Sequence, residues 1–395
     1  MDLQSRIRRR AESSTETRLI QEYEPISPVA HIEEPIGRGA IIERMLDYLE
    51  PIFDGQLPSN AYIWGPAGSG KSAIVTALFR GIRQCRSHTD AIIHTATRVE
   101  STTTPALVYV DCRTASTEFG VYQSILDAVL EDVPKNGVGT ERLRDSLQEY
   151  LGATENALLV AFDHVDEPGA HDLATLERAF DDVADDLSWM AIARVPPTRP
   201  VRSEVQIELP AYRDPVMVDI LTQRASNGLA HRAIAHEQLR EIAAWSDGNA
   251  HDALCALFCA ADIATATGTA TIRDRDLHAG MDSVPKGTAA LGRVLALAEN
   301  RRRVLHALIE SDQGERAPIE TTATSIADHP DVALSPSTVK RLLYELADNG
   351  IAHRVQIETT DERAGRTPST IEPRFPTRVF RRLDGLSTQP SVDSH

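Results

Sequence analysis

Apolar residues recur with two different periods along the first half of the chain, and the alternation between them predicts a sheet built from crossover units. AYIW at 61–64, ALVYVDCR at 106–113, NALLVAFD at 156–163 and WMAIARV at 189–195 are apolar runs of strand length. NALLVAFD is apolar on both faces, which places it centrally in a parallel sheet. Between these runs lie stretches at helical spacing. Ile41, Met45, Leu46 and Leu49 precede Pro51, a helix follows Lys71, EFGVYQSILDAVLEDV is amphipathic, and TERLRDSLQEYLG resumes after a break at Pro134 to Gly139. An acidic helix is expected around 171–187. Each crossover is long enough for a right-handed βαβ unit, so residues 31–210 are expected to form an α/β base.

The remaining segments read differently. Residues 1–30 have weak periodicity and are expected to be a flexible arm. Residues 211–285 carry several helical runs and one short extended stretch within TATGTATIRDRDLHAGMDSV, which together suggest a small all-helical lid. From 286 to 383 a new pattern begins, ahead of a tail at 384–395. Within it, Ser335 suits an N-cap and Pro336 the first helical position, Val339, Leu342, Leu343 and Leu346 share one face, and Gly350 ends the helix. The opposite side offers Ser337, Lys340, Arg341 and Tyr344. IAHRVQIE and TIEPRF then predict a hairpin around the polar loop TTDERAGRTPS, and helices followed by a hairpin suggest a winged helix-turn-helix. In that arrangement Lys340 and Arg341 face a major groove or phosphates, with Arg363 and Arg366 on the wing tip. The same geometry also serves docking on another protein, with the arginines and lysine as solvated positions.

The candidate chemistry starts at Gly65 to Ser72, which reads G-x-x-x-x-G-K-S between a strand and a helix, the context a P-loop requires. Glycines at 65, 68 and 70 let backbone N–H groups approach phosphate oxygens, and the helix start adds unsatisfied N–H groups. The expected nucleotide contacts are Gly65, Pro66, Ala67, Gly68, Ser69, Gly70, Lys71, Ser72 and Ala73, with Lys71 on the β/γ-phosphates and the Ser72 hydroxyl on magnesium. Asp163, ending NALLVAFD, suits the second magnesium position. His164 follows it where a water-polarising glutamate is usual, with Asp166 and Glu167 close behind in DHVDEPG. As a neutral imidazole His164 can accept a proton. Equally, it can be a loop residue that contacts its neighbours.

Composition narrows the setting. Acidic residues number 58 against 41 basic ones, a formal charge of −17, and only Lys71, Lys135, Lys286 and Lys340 are lysines. An acidic, lysine-poor chain suggests a salty cytoplasm, where screening tolerates self-repulsion. Residues 291–395 are nearly neutral, with 14 basic and 15 acidic side chains, so net acidity does not exclude a nucleic-acid surface there. No apolar run nears 18 residues, and the arginine-rich start MDLQSRIRRRAESS lacks a following hydrophobic stretch, so a cytoplasmic location is expected. His251, Cys255 and Cys259 share one helical face, consistent with a buried stripe or, less simply, a metal site.

HIEEPIGRG, LPSNAYIWGPAGSGKSA, YVDCRTASTEFGVYQSIL, LLVAFDHVDE, VQIELPAYRDPVMVDILTQRA and WSDGNAHDALCALFCAADIA, in that order, resemble the AAA+ replication-initiator family, the origin recognition complex and cell division control ATPases of archaea and eukaryotes. The likeness runs from about residue 31 to residue 383. It implies ATP/ADP and Mg2+ held between an α/β base and a lid, with a winged helix on double-stranded origin DNA. It further implies EFGVYQSILDAVL near a second DNA contact, and a replicative helicase and self-association as partners. The resemblance also implies that Arg38 lies near the adenine and that Lys71, Ser72 and Asp163 occupy the phosphate and metal positions. The chain departs from the family pattern at three positions. His164 replaces the catalytic glutamate, Arg194 stands near a polar sensor, and His251 stands where the lid supplies an arginine to the γ-phosphate. Arg202 in VRSEV is the candidate arginine finger. Together these departures suggest a haloarchaeal paralogue that binds ATP and hydrolyses it slowly or not at all.

Overall fold

The computed structural model describes residues 18–31, 34–93, 104–133, 137–153, 156–167, 170, 173–197, 201, 203–285, 287, 289–311, 317–357 and 369–388. They fall into two compact units, one of residues 31–220 with 247–250 and one of the remaining described residues.

The first unit is a parallel sheet with helices on both faces. Its strands are β1 (Ala61–Trp64), β2 (Ala106–Asp111), β3 (Leu158–Asp163), β4 (Leu187–Ala193) and β5 (Val205–Glu208), in the order β2-β3-β4-β1-β5. All neighbouring pairs are parallel, so every C-terminal end lies on one edge. The helices are α1 (Gly39–Leu49), α2 (Lys71–Ile93), α3 (Glu118–Val129), α4 (Thr140–Gly152), α5 (Leu173–Ala179) and α6 (Asp214–Gly228), which runs past the unit's end. β3 is buried along its whole length. Leu158, Val160 and Phe162 meet Ile125, Leu126 and Leu147 of α3 and α4 on one face, while Leu159 and Ala161 meet the side of Ile74, Val75 and Phe79 of α2. That two-sided burial is what a continuous apolar run encodes.

Two details differ from expectation. The acidic helix is short, ending at Ala179 before a 3-10 turn at Asp181–Val183. Asp181, Asp182, Asp185 and Asp186 concentrate negative charge where the helix dipole is already negative, so the helix stops and β4 starts early. β5 was not expected as a strand, because four residues at a sheet edge with only Ile207 buried give a weak pattern.

The second unit contains the rest of α6, then α7 (His236–Trp245), α8 (Ala250–Ala266), α9 (Asp274–Asp282), α10 (Leu291–Leu295), α11 (Glu299–Glu310), α12 (Ile319–Ala327), α13 (Pro336–Asp348), the antiparallel pair β6 (Ala352–Gln356) and β7 (Ser369–Pro373), and α14 (Thr377–Thr388). In the stretch expected to contain an extended segment, residues 267–273 form a turn and irregular chain and not a strand, and the helix α9 follows from Asp274. Residues 18–30 are likewise not a free arm. Leu19, Ile20 and Ile26 are buried, Gln21 and Glu22 donate their N–H groups to Gly228 O at 2.9 and 3.1 Å, and the buried Arg224 donates to the carbonyls of Ser27 and Ala30. Three scattered apolar residues give no local period, so only tertiary contact reveals this packing. Residues 1–17 lie outside the described residues.

α13 follows its pattern closely. Ser335 Oγ accepts the Thr338 N–H at 3.3 Å, Val339, Leu342, Leu343 and Leu346 are buried, and Gly350 takes a left-handed φ of 71°. Among the described residues, no helix is long and apolar enough to cross a membrane.

Candidate functional site

The glycine turn joins β1 to α2 at the C-terminal edge of the sheet. Gly68 and Gly70 have φ of 69° and 90°, a region closed to most side chains. A Cβ on Gly68 would stand 1.9 Å from Asn249 Oδ1, and one on Gly70 2.3 Å from Tyr212 Oη. Lys71 is buried, and its ammonium donates to Gly65 O at 2.6 Å, Pro66 O at 2.8 Å and Ser69 Oγ at 3.2 Å. Burial lowers its pKa to about 8, against the opposing pull of Asp163 and Asp166. Ser72 and Ala73 follow in the first turn of α2, whose N–H groups have no intrahelical acceptors.

Arg38 braces this turn. Its guanidinium donates to Ser69 O and Pro210 O, both at 2.7 Å, and lies 3.8 Å over the Tyr212 ring. Tyr212 and Asn249 escaped the sequence reading, because ELPAYRDP and GNAHDAL carry no spacing that ties them to a loop far upstream.

Asp163 ends β3 in register with Ile192 of β4, itself in register with Ile63 of β1. It therefore stands two strand spacings, roughly 10 Å, from the P-loop strand. Its side chain is buried, accepting the Tyr109 hydroxyl on Oδ2 at 2.6 Å and the His164 N–H on Oδ1 at 2.7 Å. Asp111 is its register partner on β2 and takes Arg113 in a two-point pair, Nε to Oδ1 at 2.9 Å and Nη2 to Oδ2 at 2.6 Å. Burial disfavours the Asp111 carboxylate, yet the Arg113 hydrogen bonds and charge outweigh it and lower its pKa.

His164 adopts a left-handed φ of 64° and lies between two acids, Nε2 3.5 Å from Asp163 Oδ2 and Nδ1 3.5 Å from Glu167 Oε1. Burial works against its charged form, but the charge of Asp163 and the Glu167 hydrogen bond prevail, so its pKa is raised. Arg194, just beyond β4, is held on Asp166, donating its N–H to Oδ2 at 2.9 Å and its Nε to the same oxygen at 3.3 Å.

A family model described as an AAA ATPase domain matches residues 34–192. An ORC1-type DNA replication protein of Thermococcus onnurineus is 23% identical over 355 residues, covering 82% of this chain and 81% of the relative. ORC1-type DNA replication protein 9 of Halobacterium salinarum is 28% identical over 244 residues, covering 60% of this chain but 64% of the relative. The solved structure of the Aeropyrum pernix ORC1 protein in complex with DNA matches with a TM-score of 0.59 at 21% identity, over 93% of this chain and 97% of that one. The chain thus carries an AAA ATPase domain and is similar over most of its length to archaeal ORC1-type DNA replication proteins.

The residues present in this AAA ATPase domain fit a magnesium nucleotide. The turn can only be glycine, a buried cation ends it, a hydroxyl opens the helix, and a buried carboxylate faces the same sheet edge. Among the described residues no group of three His, Cys, Asp or Glu could hold a metal ion alone. Magnesium bound through one protein carboxylate, one hydroxyl and phosphate oxygens needs no such group. The same observation favours the buried-stripe reading of Cys255 and Cys259, which lie inside α8 with thiol pKa values raised by burial.

His251 belongs to the second unit, where Nε2 accepts the Leu291 N–H at 3.0 Å and Nδ1 lies 3.0 Å from Asp252 Oδ1. Arg202, Arg363 and Arg366 lie outside the described residues. On α13, Ser337 is exposed beside Ser335, Lys340 pairs with Glu320 at 2.7 Å, and Arg341 pairs with Glu345 at 2.5 Å. Tyr344 lies between them and Arg354 of β6, whose guanidinium is 4.9 Å from its ring. Arg354 extends this basic surface and was not foreseen.

Proposed function

We propose that the chain is an ATP-switched, DNA-binding initiator of the ORC/Cdc6 type that retains nucleotide at the glycine turn and turns it over slowly or not at all. The observation that carries this reading is an intact binding set (the glycine turn, Lys71, Ser72 and Asp163) beside an altered catalytic set. His164 occupies the glutamate position and is engaged with Asp163 and Glu167. Arg194 occupies the sensor position and is engaged with Asp166. His251 occupies the lid-arginine position, and Arg202 is the residual finger candidate. ATP or ADP with Mg2+ is the ligand, with Arg38 toward the base.

α11, α12, α13 and the β6–β7 pair serve as a winged helix on double-stranded origin DNA. Ser337, Lys340, Arg341, Tyr344 and Arg354 make contact there, joined by Arg363 and Arg366. The replicative helicase and a second copy of the chain are its protein partners, in a salty archaeal cytoplasm. The relatives' names and the DNA-bound ORC1 fold support this reading. A second reading, a AAA+ regulatory switch that uses the same surface on protein or on non-origin DNA, is favoured by one observation: Lys340 and Arg341 each already hold a carboxylate.

Electrophoretic binding to duplex DNA in molar KCl, with and without Mg·ATP, tests the proposal. Binding that depends on nucleotide is expected, and weakens when Lys340 and Arg341 are replaced by Ala. Absence of duplex binding in either state contradicts it and favours the second reading.

A further inference from the structure

The chain passes between the two units at several points, and one of them is the Ala250–His251 peptide, with residues 247–250 on one side and His251 on the other. Each side is anchored. The Ala250 N–H donates to the P-loop carbonyl of Gly68 at 3.2 Å. The backbone of Gly68 approaches Asn249 so closely that only glycine fits. One residue later, His251 Nε2 accepts the Leu291 N–H at 3.0 Å. Leu291 opens α10 and is fully buried. Its N–H has no acceptor within its own helix, so the imidazole caps α10 from the start of α8. For Nε2 to accept, the ring proton sits on Nδ1, where Asp252 Oδ1 receives it at 3.0 Å. Cys255 Sγ packs 3.8 Å from the same ring. An arginine offers only donors and could not take this N–H. Histidine at this position thus exchanges a cation for an acceptor that serves another element.

We propose that residues 249–251 are a mechanical link by which nucleotide at the P-loop sets the order of α10, with His251 as the positioning residue that holds the start of that helix. The inference rests on the nucleotide-binding reading above. Phosphates drawn into the turn move or stiffen Gly68. Ala250 follows through its hydrogen bond, and the next side chain carries the change to Leu291.

Hydrogen exchange on the full chain, read at residues 289–296 with and without saturating Mg·ATP, tests the link, with nucleotide occupancy measured separately by equilibrium dialysis. In the parent protein, occupancy is expected to change exchange at the Leu291 amide at least about threefold. His251→Gln, which keeps an acceptor at similar reach, should preserve both protection and response. His251→Phe keeps a ring without an acceptor and should speed Leu291 exchange about fivefold, the worth of one hydrogen bond, and abolish the response. Full occupancy with no change at 289–296 in the parent overturns the link, and the parent alone decides this if the Phe variant does not fold. A Phe variant that responds as the parent does also overturns it. A parent that takes up no nucleotide overturns the nucleotide reading itself, and this inference with it.

Discussion

His164 is the residue on which the chemistry turns. A non-glycine side chain at φ 64° is held there by its surroundings, here Asp163 and Glu167 on either side of the ring. Paired in this way, it steadies the carboxylate expected at magnesium and is poorly placed to draw a proton from water. Single-turnover hydrolysis by the parent should therefore be slow, and His164→Ala should change it less than about threefold. A rapid rate that collapses in the variant contradicts this. The cysteines give an independent residue-scale test. Cys112, Cys255 and Cys259 are buried with raised thiol pKa values, Cys112 and Cys259 at about 12, whereas Cys85 is exposed. Native protein at pH 8 should thus expose one titratable thiol to a maleimide or aromatic disulfide reagent, lost in Cys85→Ser. Rapid reaction of three or four would contradict the packing of β2 and α8.

α13 is the element whose sequence and structure agree most fully. Leu343 is completely buried on its apolar face, so Leu343→Ala should cost about 2–5 kcal/mol in urea unfolding through transfer and cavity terms. A loss under about 1 kcal/mol would show that the face is not packed. Elements of this kind were legible because one period governs them throughout: β3 is apolar on both faces, and α13 on one. The P-loop was legible because strand, glycine turn and helix occur together. What escaped was set by distance along the chain. Residues 18–30 pack through Leu19, Ile20 and Ile26, and Tyr212 and Asn249 reach a turn more than a hundred residues upstream; none has a local signature. His251 shows the limit of reading a role from position, since its ring is engaged on Leu291.

For the molecule as a whole, a formal charge of −17 sets the conditions under which any site can work. Self-repulsion at low ionic strength should destabilise the native chain, so urea midpoints should rise between 0.1 and 2 M KCl. Midpoints unchanged over that range would remove the case for a salty interior. The central claim, a nucleotide seated on the glycine turn, is tested most directly by equilibrium ATP binding in molar KCl with magnesium, comparing the parent with Lys71→Ala. The account predicts saturable binding by the parent and a roughly ten- to hundredfold loss in the variant, from removal of a charge-assisted contact. Equal affinity in both proteins, or no binding by the parent, would contradict it.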